Sequence, residues 1–279
     1  MKRLLLTGAS GYLGAAMLNL AREWQVYPTY FSRPVAHPNA LRLDVREAEA
    51  VEATLRTLQP EAIVHTACSN GSAEQVQAIV PGARHLARAA HRLHIRLVHL
   101  SSDIVFDGEQ APYADDARPQ PLHEYGRAKA EAETIVAELC PAAAIVRPSL
   151  IWGLEPLDRV TRWLVDGAQR GERVVLFTDE FRSPVHVADL SAALLELAAR
   201  PEIAGPMNFG GPQALSRWEF GMKLLAALHI EPGPNVVANT VADSGLVRAR
   251  NVTMISARAK ELLKTRLRGV DEALMGVGA

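Results

Sequence analysis

The sequence predicts an α/β fold, a doubly wound (Rossmann) parallel sheet with a smaller C-terminal lobe. Three observations carry this reading. Short apolar runs alternate with longer amphipathic stretches through the first 150 residues. The runs are too apolar to have a wet face, as strands covered by helices on both sides must be. Three glycines, Gly8, Gly11 and Gly14, sit where the first run gives way to the first amphipathic stretch.

In order, residues 3–7 read as a strand and 12–23 as a helix. "QVYPTYF" (25–31) and "ALRLDV" (40–45) read as strands, 47–58 as a helix, "EAIVHTA" (61–67) as a strand and 73–93 as a helix. "IRLVHLSS" (95–102) is a further strand, 124–139 a helix and "AAAIVRPS" (142–149) another strand. Right-handed crossovers turn this alternation into a doubly wound sheet. After Ser149 the rhythm breaks at Gly153, Pro156, Gly167 and Gly171, and strands become sparse. "HVADLSAALLELAAR" (186–200) is again a clean helix, stopped by Pro201. The expected division is a first domain over 1–150, with helix 186–200 packing back on it, and a smaller lobe over 151–279. Residues 151–185 and 206–279 are expected to form most of that lobe. Trp163 and Trp218 read as helix core residues.

The chain has 279 residues and 48% hydrophobic content, enough for a sizeable core. Its 30 basic and 31 acidic side chains leave a net charge of −1 and alternate along the sequence. That balance points away from a nucleic-acid polymer and from an anionic membrane surface. Cys68 and Cys140 are far apart and form no CxxC pair, which suits a reducing, cytoplasmic location. No apolar run reaches the ~20 residues of a membrane span. Lys2 and Arg3 lead straight into a run too short for a secretory signal. His91, His94 and His99 lack a completing carboxylate or thiolate at zinc spacing, so no metal site is expected. His186 reads as a cap or packing residue.

The glycines have a chemical reading. A strand turning into a helix aims the helix N-terminus, with its unpartnered N–H groups, at the C-terminal edge of the sheet. A pyrophosphate reaches those donors only where side chains are absent. Gly8 permits the tight turn, Gly11 admits phosphate and Gly14 lets helix and strand pack closely. Ser10 lies in the same loop. The second strand ends in "YFSRP", offering Ser32 and Arg33 where an NAD site usually offers an acid. The Arg33 guanidinium suits a 2′-phosphate, so NADPH is preferred, with NADH as the lesser option. The plain alternative is a surface arginine before Pro34. Asp44 either accepts from the adenine amino group or caps the following helix.

"EYGRAK" places Tyr125 and Lys129 one turn apart on a helix, and "HLSSDIVFDG" ends a strand with Ser101 and Ser102. Hydride reduction of a carbonyl needs a proton for the developing alkoxide. A tyrosine, ordinarily near pKa 10, becomes competent when a lysine ammonium stabilises its phenolate. A serine hydroxyl can orient the carbonyl oxygen.

These residues resemble the extended short-chain dehydrogenase/reductase superfamily. More narrowly, "SSDIVFDGEQAPYADDARPQPLHEYGRAKAEAE" resembles the dTDP-4-dehydrorhamnose reductase family, which typically reads S-T-D-Y-V-F-D-G, then P-Y, acids, P-L and Y-G-x-S-K-x-x-G-E. "DEFRSPVHVADL", "GGPQALSRWEF" and "VRARNVTMISARAKELL" resemble its later segments more loosely. The resemblance implies an NADPH-dependent reductase acting on the 4-keto group of a nucleotide-activated deoxysugar. Its catalytic set would be Ser102, Tyr125 and Lys129, with Lys129 and Tyr125 also touching the cofactor. Gly11, Tyr12 and Leu13 would line the pyrophosphate, Asp44 and Val45 would flank adenine, and Ala67, Cys68 and Ser69 would border the cofactor. Ser102, Asp103, Trp152 and Arg182 would face the substrate. A homodimer is a further implication.

Several positions depart from the family pattern. Ile104 replaces a common Tyr, Leu150 a substrate-side Trp, Arg182 a common Gly and Ile79 a helical Asn. Trp152 may be read as compensating for Leu150 or as a core residue. Two other readings share the fold. One is an NAD-retaining nucleotide-sugar epimerase or dehydratase, disfavoured by Arg33 and by the lack of a Glu beside Ser102. The other is a non-catalytic dinucleotide-binding partner, like the regulatory β subunit of methionine adenosyltransferase.

Overall fold

The computed structural model describes residues 1–67 and 72–275. The chain runs β1 (Lys2–Thr7), α1 (Tyr12–Leu20), β2 (Trp24–Tyr30), β3 (Leu41–Arg42), α2 (Ala48–Leu58), β4 (Ala62–His65), α3 (Ala73–Gln77) and α4 (Ile79–Arg92). It continues through β5 (Arg96–Leu100), a single 3-10 turn (Asp103–Val105), α5 (Glu124–Leu139), β6 (Ala144–Pro148), β7 (Ile151–Trp152) and α6 (Arg159–Arg170). Then come β8 (Val174–Phe177), β9 (Phe181–Arg182), β10 (Val185–His186), α7 (Val187–Ala199), β11 (Gly205–Phe209), β12 (Leu215–Ser216) and α8 (Arg217–Ala227). The order closes with β13 (Val236–Asn239), α9 (Val241–Ser244), α10 (Ala257–Leu262) and α11 (Val270–Met275).

Seven parallel strands form the main sheet in the order β11-β6-β5-β4-β1-β2-β3. Strand alternation divides the core cleanly. Leu4, Leu6, Val64, Val98 and Val146 face α1 and α7, where they meet Leu13, Met17, Leu190 and Leu194. Leu5, Ile63, Leu97 and Ile145 face the other way and meet Leu55, Leu86 and Val136 of α2, α4 and α5. Both faces are dry, which is why the strands read as unbroken apolar runs.

The doubly wound fold predicted from sequence is therefore present, with three local differences. The helix expected over 73–93 is interrupted at Ala78, and the "ALRLDV" strand pairs only through Leu41–Arg42. β11 belongs to the main sheet, although 206–279 reads as lobe. Its "GPMNF" carries only two strong apolar positions, Met207 and Phe209, both fully buried against β6. Trp163, expected in the core, is 48% exposed, because α6 turns Thr161, Leu164 and Val165 inward instead. Trp218 does pack against the lobe core, which is built from Trp152, Leu164, Leu176, Phe220 and Leu224. The lobe's three short sheets pair β8 with β13, β9 with β12 and β7 with β10.

Two buried arginines lock the sheet to what covers it. Arg96 of β5 donates to the carbonyls of Leu197, Ala142 and Ile203, joining α7 and the entry to β11. Arg147 of β6 grips the Glu133 carboxylate of α5 through Nε and Nη2, at 2.7–3.1 Å, with both side chains under 10% exposed. Its remaining Nη1 donates to the carbonyls of Asp115 and Ala117. Removing one member leaves the other's charge stranded. Arg147→Met is expected to cost about 3–5 kcal/mol in urea unfolding, and Glu133→Leu added to it to recover most of that loss.

Candidate active site

The C-terminal ends of β1, β2 and β4 open onto a groove of about 550 Å³. Its floor is the glycine turn. Gly8 has φ +73°, and a Cβ there would come within 2.7 Å of the Ala67 nitrogen, so the turn takes only glycine. At Gly14 a Cβ would meet the Gly8 carbonyl at 2.4 Å, which fixes how closely α1 packs on the loop. Gly11 N-caps α1 without a side-chain bond to the helix's first N–H groups. A Cβ on it would come within 4 Å of only one atom among the described residues, the Gly8 oxygen at 3.2 Å. The helix donors thus face open space that a side chain would fill. This cradle, with Ser10 on its wall, fits a dinucleotide pyrophosphate.

The other groove residues divide into those that line it and those that support it. Tyr12 begins α1, and its hydroxyl donates to the Pro156 carbonyl of the lobe at 3.2 Å. Burial, aided by the Asp158 charge, pushes its phenol far above the usual range. Leu13 turns its side chain into the core beside Met17, leaving only backbone for the groove. Arg33 is exposed at the far end and donates to the Ser10 carbonyl. Val45 lines the groove while packing on α4, where Gly82 makes room for it. Ala67 lines the inner end; Cys68 and Ser69, expected beside it, lie outside the described residues. Asp44 does not cap α2, whose N-cap is Glu47. Its carboxylate instead accepts from the Arg46 backbone N–H at 3.0 Å and from the Arg46 guanidinium at 2.6–3.0 Å. The Arg46 side chain holds the Asp44 carboxyl below the ordinary carboxylate range. Sequence reading passed over Arg46. The only signal was the two-residue D-x-R spacing, which lets an Asx turn form.

The hydride-chemistry set gathers where α5 starts. Lys129 lies one turn below Tyr125, its ammonium 6.0 Å from the tyrosine ring centre, and donates to the Leu100 carbonyl at 3.0 Å. Gly126 makes the assembly possible: a Cβ there would sit 2.4 Å from the Ile104 carbonyl oxygen. The glycine lets α5 lie directly on the 3-10 turn that Ser102 caps, and Ser102 Oγ accepts from Ile104 N at 3.3 Å. The same hydroxyl donates to Asp103 Oδ1 at 3.3 Å, and Ser149 Oγ donates to Oδ2 at 3.0 Å. Burial pushes Asp103 upward, opposed by Arg182, whose Nε lies 3.7 Å away.

Two residues expected on the substrate side are placed behind it. Arg182 is 6% exposed and spends its fork on Glu180 and on the carbonyls of Phe181 and Ala249. Trp152 is 1% exposed and stacks edge-on with His186 and Phe220 inside the lobe. His186 caps α7, accepting from Ala188 N at 3.3 Å. Among the described residues, no group of His, Cys, Asp or Glu is arranged to hold a metal ion, and no helix is long and apolar enough to cross a membrane.

Beneath the site, His65 and His99 are register partners on β4 and β5, their rings 5.3 Å apart. His65 Nδ1 pairs with Thr7 Oγ1 at 2.7 Å.

A doubly wound sheet, a glycine cradle at its C-terminal edge and a Ser–Tyr–Lys set beside it define the extended short-chain dehydrogenase/reductase class. Within that class the chain belongs to the RmlD substrate binding domain family, whose model matches residues 1–277. It is 33% identical over 204 residues to the dTDP-4-keto-6-deoxy-D-glucose reductase of Streptomyces niveus, covering 70% of this chain and 68% of that protein. It is 28% identical over 280 residues to methionine adenosyltransferase 2 subunit beta of Bos taurus, covering 94% and 82%. In fold it is similar to dTDP-4-dehydrorhamnose reductase of Bacillus anthracis in complex with NADP, at TM-score 0.84 and 22% identity, covering 98% and 97%. The hypothetical dTDP-4-dehydrorhamnose reductase of Sulfolobus tokodaii gives TM-score 0.84 at 25% identity, covering 98% of both chains.

Two outcomes are expected. Burial first, then the nearby Lys129 charge, lowers the His65 imidazole to about 3, and burial, His65 and Lys129 lower His99 well below 6.5. Both stay neutral when folded, whereas the unfolded chain protonates below 6.5. Stability is therefore highest above that pH and falls by up to about 1.4 kcal/mol per unit for each histidine as pH drops toward 4.5. Urea melts across that range for the wild type and His99→Phe check it, the variant showing the shallower slope. For the cradle, Gly11→Val is expected to abolish dinucleotide binding in calorimetry while leaving the thermal midpoint within a few degrees, whereas Gly14→Val should unfold the domain.

Proposed function

We propose that the chain is an NADPH-dependent reductase of a keto group, best suited to the 4-keto group of a nucleotide-activated deoxysugar. The observation that carries this reading is the joint presence of Ser102, Tyr125 and Lys129 at the inner end of the glycine-floored groove. Arg33 at the outer end supports the phosphorylated dinucleotide. The relative from Streptomyces niveus, whose name is that of such a reductase, supports the substrate class.

When bound, NADPH supplies the hydride for the carbonyl carbon. The chain does the rest. The Ser102 hydroxyl is within reach of Asp103 and can turn to hydrogen-bond the carbonyl oxygen, fixing its orientation. The Tyr125 phenol gives its proton to that oxygen as negative charge develops. The Lys129 ammonium, fixed by Leu100 and lying under the Tyr125 ring, favours the phenolate left behind. It also lies where the nicotinamide ribose would rest. The Gly11 cradle and the α1 donors hold the pyrophosphate.

A second reading has its own support. The matches to methionine adenosyltransferase 2 subunit beta span more of this chain than the reductase match does. On that reading the same groove holds a dinucleotide, and the chain serves as a partner subunit.

Oxidation of NADPH against a panel of nucleotide-4-ketosugars separates the two. With the true substrate, Tyr125→Phe is expected to lower kcat by about 10²–10⁴-fold while NADPH affinity changes little. Lys129→Ala is expected to weaken NADPH binding as well and to move the activity profile to higher pH. Turnover by Tyr125→Phe at the wild-type rate overturns the mechanism. No turnover with any ketosugar, with another enzyme co-purifying, favours the partner reading.

A further inference from the structure

The outer end of the groove carries four charged side chains among the described residues that line it: Arg33, Asp44, Arg46 and Glu74. They do not act independently. Arg46 takes both oxygens of Asp44 through Nε and Nη2, and its Nη1 donates to Glu74 Oε1 at 3.0 Å. One guanidinium therefore engages both lining carboxylates. Arg33 is left with a backbone carbonyl as its printed partner, so its charge is not spent on an acid. Arg46 is also fixed in place, its guanidinium lying 4.9 Å from the Phe31 ring centre. Arg42 flanks the same ring at 5.6 Å and donates to the Phe31 carbonyl. The acid at the end of β3, which by itself would repel a phosphate, is already discharged before any ligand arrives.

We propose that Arg46 is a specificity-determining residue of the dinucleotide groove: by neutralising Asp44 and Glu74 it leaves Arg33 free to favour a 2′-phosphorylated dinucleotide over an unphosphorylated one. The inference rests on the dinucleotide reading of the groove given above. Arg33 is the phosphate's direct partner and Arg46 acts through the acids. Without Arg46, two carboxylates face one guanidinium and the local balance turns negative. A 2′-phosphate, carrying close to two negative charges, feels that change far more than a ribose hydroxyl does. At the separations of a groove wall, within about one Debye length, the repulsion is partly screened and amounts to roughly a tenfold change in affinity.

The test is calorimetric titration with NADPH and with NADH, which needs no substrate and no turnover. Four proteins are compared: wild type, Arg46→Ala, Arg46→Ala/Asp44→Asn/Glu74→Gln and Arg33→Ala. Arg46→Ala is expected to lower NADPH affinity about tenfold and NADH affinity by much less, and the deficit should shrink as salt rises. The triple variant should regain NADPH affinity to within about threefold of wild type, since its amides keep acceptors but carry no charge. Arg33→Ala should lose NADPH preference outright. An NADPH:NADH ratio unchanged by Arg46→Ala overturns the proposal. So does a triple variant as weak as Arg46→Ala, because Arg46 would then be touching the phosphate itself. A wild type that binds neither dinucleotide overturns the cofactor reading, and the specificity proposal with it; a wild type that binds both equally overturns the specificity proposal alone. Arg46 is a surface residue, so matched thermal midpoints serve as the folding control.

Discussion

The buried pair between Arg147 and Glu133 is the interaction on which the site's geometry depends. Glu133 lies one turn below Lys129 and two below Tyr125 on α5, and Arg147 belongs to β6 of the main sheet. An ion pair this dry is stable only if its other hydrogen-bonding capacity is met. Arg147 meets it with the carbonyls of Asp115 and Ala117. Asp115 in turn accepts from the backbone N–H groups of Asn208 in β11 and Arg258 in α10. One side chain thus ties the tyrosine-bearing helix, a central strand, the loop over it and the last strand of the sheet into one block. A phenol that must meet a carbonyl oxygen within a few tenths of an ångström needs such support.

A second network connects that block to the lobe. Ser102 reaches Asp103, Asp103 reaches Ser149 and Arg182, and Arg182 shares Glu180 with Arg248. Arg182 and Arg248 therefore hold lobe segments in register with the serine that caps the 3-10 turn. The groove's two ends are built on different principles. Its inner end relies on backbone and on small residues, where close approach matters. Its outer end relies on balanced charge, where exposure keeps each contact modest and the sum decides.

Much of this was legible in the sequence because it depends on local spacing. The glycine triplet between a strand and a helix, the i,i+4 pair Tyr125–Lys129 and the apolar strand runs each report a geometry fixed within a few residues. The missed features depend on distant chain. Gly126 looks like an ordinary helical glycine until Ile104 is placed against it. Arg46 looks like a surface charge until Asp44 and Glu74 converge on it. β11 looks like a loop because a strand paired on one side needs few apolar residues. Trp163 was misplaced for the opposite reason: a large apolar residue on an amphipathic helix reads as core, yet α6 already buries enough with its smaller neighbours.

Lys129 is a costly residue to keep. It is 3% exposed, and a buried ammonium loses hydration that one carbonyl only partly restores. A protein that only holds a dinucleotide still has a use for it, since a ribose offers hydroxyls to the same ammonium. Lysine alone therefore does not separate a catalyst from a partner subunit. Tyr125 and Ser102 do. Neither is needed to cradle a pyrophosphate, and Gly126, which brings the helix of one onto the turn of the other, gains nothing from ligand binding at the far end of the groove. A glycine in the first turn of a helix weakens it by roughly 0.5–1 kcal/mol relative to alanine. Here it keeps a phenol and a hydroxyl beside each other, which is the arrangement that carbonyl reduction requires.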